Sequence, residues 1–177
     1  TNKKAVANVR AIAAGIKLDK LSPFGLKVLD RLIKWRGNHQ LENIGTTIYY
    51  KITARLFKNT FRDELTEDLF NDFANTSLAK RTLNKFMNEV DSKWWDNVTT
   101  LKTETYKDIV TKSFQESVSD LKTQLGDDIT AWKWGKVHTI EHEHALAKMD
   151  LLKKIFNVGA FPIVGGNETI NNTMWAY

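Results

Sequence analysis

Thr105-Tyr106-Lys107-Asp108-Ile109-Val110-Thr111-Lys112-Ser113-Phe114-Gln115-Glu116-Ser117-Val118-Ser119-Asp120-Leu121-Lys122-Thr123-Gln124-Leu125-Gly126 is the stretch on which the fold turns. Tyr106, Ile109, Val110, Phe114, Val118, Leu121 and Leu125 recur at spacings of three and four, placing one apolar stripe on a helix of about five turns. Thr105 and Asp108 stand at the capping-box spacing, with Asp in place of the usual Glu, and Gly126 supplies the stop. A helix with such a face must bury it against others. The spacing therefore predicts a mainly α protein.

Upstream, Ser22-Pro23 places a capping side chain before a proline at the first helical position, where the missing N–H costs nothing. Phe24, Val28, Leu29, Leu32, Ile33 and Trp35 follow at helical spacing, with Gly37 as the expected stop. A third helix is expected from near Asn43, with Ile44, Ile48, Tyr49, Ile52, Leu56 and Phe57 on one face. Thr66 caps a shorter piece carrying Leu69, Phe70 and Phe73, and 78–90 carries Leu83, Phe86, Met87 and Val90 on one side. The Ala- and Val-rich 2–16 reads as a short helix ending near Gly15.

Beyond Gly126 the pattern changes. Ala131-Trp132-Lys133-Trp134-Gly135 leads to Val137-His138-Thr139-Ile140, a short β-like run. Gly159, Pro162, Gly165, Gly166 and Asn171-Asn172 mark turns with one or two short strands between them. The expected organisation is one unit over 1–177, helical over 1–126, with loops and short strands over 127–177. No internal repeat is visible.

The length, 177 residues, with 42% hydrophobic and 27% charged residues, suits one domain with a sizeable core and excludes a disordered chain. No run approaches the ~20 apolar residues of a membrane span, and no signal-peptide core is present. The net charge is +5, but the 26 Lys and Arg are interspersed among 21 acids, so no nucleic-acid partner is expected. The absence of Cys excludes disulfides, thiolate zinc sites and a Cys nucleophile.

Three clusters invite a chemical reading. His138, His142 and His144 lie with Glu141 and Glu143 in seven residues, yet the run is not H-E-x-x-H. In an extended chain His138 and His142 would stand roughly 13 Å apart, so a structural role is expected ahead of a metal-dependent hydrolase. Thr1 could act as an N-terminal nucleophile with its own amine as base, but the polar Asn2-Lys3-Lys4 and the helix-like run after it do not make the buried strand such a residue opens. Thr1 is expected to mark a point of excision. Trp94-Trp95 with Trp132 and Trp134 are expected to lock loops onto the helices rather than to stack on a ligand. Gly165-Gly166 is expected as a turn, since neither a Lys-Ser/Thr pair nor a helix start follows it. No catalytic, cofactor or metal residue is assigned within this chain.

Several segments, in order, resemble the later part of the large β-chain of the penicillin acylase family of N-terminal-nucleophile amidohydrolases. Leu26 to Gly37 looks like the family's helix ending in a Trp-Asp-Gly turn, with Arg36 where the family usually has Asp. The 44–57 stripe is similar to the helix that follows it. The long 105–126 helix with Trp134-Gly135-Lys136-Val137-His138 looks like the family's Trp-Gly-x-x-His segment. Leu151 to Gly159 and Phe161-Pro162-Ile163-Val164-Gly165-Gly166 resemble its closing Phe-Pro and Gly-Gly turns, while 63–103 matches poorly.

The resemblance implies a large periplasmic or secreted enzyme with an αββα sandwich, whose N-terminal Ser attacks a linear amide of a β-lactam acyl side chain or an N-acyl-homoserine lactone. Its nucleophile, oxyanion Asn, active-site Arg and calcium ligands map to no position here. The implied partners are the family's α-chain and the N-terminal part of its β-chain. Trp134 and His138 would then be anchors between helices and sandwich. The alternative is a stand-alone helical binding module.

Overall fold

The computed structural model describes residues 2–142, 158–166 and 169. Among them the chain forms seven α-helices and one two-stranded antiparallel sheet. The helices are α1 (Lys3–Gly15), α2 (Pro23–Ile33), α3 (Ile44–Phe61), α4 (Glu67–Ala74), α5 (Ser77–Phe86), α6 (Tyr106–Leu125) and α7 (Trp134–Val137). The strands are β1 (Thr139–His142) and β2 (Val158–Pro162). The mainly helical class read from the sequence is the class observed.

Side-chain caps account for most helix starts. Asn2, Ser22, Asn43, Thr66, Thr76 and Thr105 each accept the N–H three residues on. At α6 the capping box is complete, with Asp108 Oδ2 accepting from the Thr105 N–H at 3.1 Å. Gly126 ends that helix at φ +86°, a conformation costly for any residue with a Cβ.

The spine of the molecule is α3 packed along α6. Ile48, Ile52, Leu56 and Phe57 of α3 and Ile109, Val110, Phe114 and Leu121 of α6 are all buried. Polar ties run down the same seam. Asn59 Nδ2 donates to Ser113 Oγ at 3.0 Å and to Glu116 Oε2 at 2.8 Å, and Arg55 pairs with Asp120. Buried Ser113 and Ser117 let the helices approach closely, and Ser117 Oγ donates to the Ser113 carbonyl at 2.7 Å.

Three boundaries differ from the periodic reading. α2 stops at Ile33, not Gly37, because the chain folds Trp35 back so that its Nε1 donates to the Asn38 carbonyl at 2.9 Å. Gly45 provides the room: a Cβ there would stand 2.5 Å from Trp35 Cβ. α5 ends at Phe86, which leaves Val90 51% exposed instead of in the stripe. Val137 closes the helical turn α7 rather than opening a strand, so extended structure begins only at Thr139. The cause is tertiary, since Trp134 N donates to the Asn43 carbonyl at 3.0 Å and Gly135 N to that of Leu41 at 2.8 Å.

The tryptophans pack as expected. Trp95 is buried, donates from Nε1 to the Glu89 carbonyl at 2.9 Å and meets the Tyr106 ring edge-on. Trp132 is buried against Phe24 and donates to the Gly126 carbonyl at 2.9 Å. Trp94 lies over Phe61 and Phe86. No described helix is long and apolar enough to cross a membrane.

Candidate functional site

The most chemically loaded place in the described molecule is a buried group of rings where the closing segment meets the helices. It begins with α7, which turns Trp134 inward onto α3. The indole lies between two rings, stacked on Tyr50 at 4.9 Å and on His138 at 4.3 Å. His39, from the loop between α2 and α3, stands edge-on to Tyr50 and Trp134. All four side chains are buried.

Hydrogen bonds then carry the strap 163–166 across this layer. Trp134 Nε1 donates to the Gly165 carbonyl at 2.9 Å, and Gly165 N donates to the His39 carbonyl at 3.0 Å. His138 Nδ1 donates to the Ile163 carbonyl at 2.9 Å, so that nitrogen carries the proton. Ile163 N in turn donates to the His138 carbonyl at 3.1 Å. Gly166 fits because it has no Cβ. A Cβ there would lie 2.5 Å from Tyr50 Oη and 2.8 Å from His39 Cδ2. Gly165-Gly166 is therefore a close-approach turn that seats the strap.

His39 was not singled out by sequence reasoning, and it is the most perturbed imidazole among the described residues. Its Nε2 shares a hydrogen bond with Tyr50 Oη at 3.1 Å, while Nδ1 is buried without a partner among the described residues. Burial pushes its pKa down to about 4, opposed by the Gly37 carbonyl and reinforced by His138. The imidazole is neutral at pH 7. No periodicity could have flagged it, because its environment is assembled from segments far apart in the chain.

The remaining candidates are dispersed. His138 joins the clamp; His142 lies in β1, with its side chain outside the described residues, as are Glu143, His144 and Thr1. Among the described residues no three His, Asp or Glu come together to hold a metal ion. Arg36 is exposed at the rim of a groove of about 790 Å³ between α1 and the turn after α2. The two strands pair with Ile140 opposite Phe161, and both are outward, 37% and 49% exposed. Trp134 Nε1 and His138 Nδ1 are directed at main-chain carbonyls of the strap and His39 Nε2 at Tyr50 Oη, so the arrangement works as a clamp joining α3 to the strap.

Comparison with known proteins places the chain in a family. The family model for penicillin amidase matches residues 2–177. An acyl-homoserine lactone acylase QuiP of Pseudomonas aeruginosa is 25% identical over 166 residues, which cover 84% of this chain and 20% of that protein. QuiP of Pseudomonas syringae is 27% identical over 150 residues, covering 80% of this chain and 18% of that protein. For QuiP of one Pseudomonas fluorescens strain the identity is 29% over 120 residues, covering 65% and 15%. The chain spans a fifth or less of the length of these relatives. The chain belongs to the penicillin amidase family.

Proposed function

We propose that this chain of the penicillin amidase family is a non-catalytic helical part of a larger amidohydrolase that cleaves linear amides. N-acyl-homoserine lactones are the favoured substrates, because the relatives carry that activity in their names; β-lactam acyl side chains are the second class. The observation that carries the reading is the family match across 2–177 joined to relatives about five times longer. The nucleophile, the oxyanion donors and any calcium ligands are assigned to the rest of that polypeptide, which is periplasmic or secreted.

Within the parent, the clamp of Tyr50, Trp134 and His138 holds the hairpin to the helices so that β1 and β2 extend an αββα sandwich. Two features support this. A hairpin of two strands is marginally stable by itself, and the cross-strand pair Ile140–Phe161 leaves an apolar patch outward.

The test is expression of the full reading frame, followed by assay of homoserine lactone release. Amide hydrolysis by the long protein and none by residues 1–177 on a chromogenic phenylacetyl amide is expected. Turnover by the short chain that disappears on substituting Thr1 overturns the non-catalytic reading. A reading frame that starts near Thr1 supports a stand-alone binding module instead.

A further inference from the structure

We propose that the groove between α1 and the turn after α2 docks an acidic, apolar-bearing segment from the remainder of the parent polypeptide. This rests on the parent reading above. The groove is lined by Lys3 and Arg10 on one wall and Arg36 on the other, over Val6, Ile33 and Trp35. The three cations are exposed, and each is without an ion-pair partner among the described residues. By contrast Lys17, Lys34, Lys51, Arg55 and Lys133 are all paired.

Three uncompensated cations thus face one apolar trench. Ile33 lies there 55% exposed, whereas Val28, Leu29 and Leu32 of the same helix are buried. Lys3 and Arg10 are two helical turns apart, about 10 Å along the axis. An occupant with two carboxylates at that separation and an aliphatic side chain between them satisfies both walls at once. Its acids then meet cations beside low-dielectric surface, where such pairs hold better than in open water. The material to supply it exists in the relatives, of which this chain is a fifth or less.

The experiment is zero-length carbodiimide cross-linking of the full-length protein, read by peptide mass spectrometry. It couples Lys amines to carboxylates in direct contact. The R10K and R36K variants keep the charge and add an amine at each wall. The expected result is that Lys3, and the new amines in R10K and R36K, join one acidic peptide outside residues 1–177. The charge-reversed R10E/R36E protein should lose the Lys3 link and melt several degrees lower. Amines that stay open to acetylation overturn the proposal. So do links only to acids within this chain, or to a second copy identified by mixed isotope labelling. Amide hydrolysis by the same preparation reports separately on the parent reading, so an active enzyme with free groove amines removes the groove alone.

Discussion

A neutral imidazole in a buried site is a proton acceptor that folding withholds from water. His39 has a pKa of about 4 in the folded chain against an ordinary 6.5. The unfolded chain therefore takes up the extra proton as pH falls below 6.5. Stability from this group is complete above that value and declines down to about pH 4, with a slope of up to about 1.4 kcal/mol per pH unit. Urea titrations across this window should show the slope, and His39→Phe should flatten it. Gly166→Ala tests the same neighbourhood sterically. The added methyl must displace Tyr50 Oη or His39, so a loss of about 1–3 kcal/mol in thermal or urea unfolding is expected. His39 does not announce its importance in sequence, and Gly166 was legible only as part of a turn. A lone His in a polar loop and one Gly of a pair carry no period, and their contacts come from distant segments.

The elements themselves were far more legible, because caps and apolar stripes act over a few residues. Thr105 and Asp108 were read as a capping pair and form one. Thr105→Ala should cost about 1 kcal/mol and speed amide hydrogen exchange in the first turn of α6. The hydrogen bond from Lys17 Nζ, at 2.7 Å, then those from Thr105, hold the Asp108 carboxyl well below the usual carboxylate range. Its contribution is present above the ordinary Asp pKa and fades as pH falls below it. Asp108→Asn should diminish that acid dependence in the same titrations. Where the reading failed, periodicity outran the backbone. Trp35 and Val90 keep the helical interval yet lie beyond the last turn, and Val137 has β-favouring chemistry but sits in a helical turn tethered to Leu41 and Asn43.

For the whole molecule, the helical class was readable from pattern, and the family was reached by resemblance and is matched by the family comparison. Physical pattern alone gave no access to that family. One consequence concerns the isolated chain. With Ile140 and Phe161 outward, it should self-associate, and sedimentation should show less association for Ile140→Thr combined with Phe161→Thr. That shift would identify the hairpin face as the sticky surface. No shift would place the stickiness elsewhere.

The loop between α2 and α3 offers the carbonyls of His39, Leu41 and Asn43 to donors at Gly165, Gly135 and Trp134. In time, rather than in space, this means that an early loop waits for the late chain. While the ribosome is still working through α4 to α6, those acceptors have only water, and the Tyr50 face of α3 has no indole over it. The clamp can close only when the strap has emerged, so it is a late, long-range step of folding. A nascent chain stopped before Trp134 would keep its helices but leave that loop open to proteases.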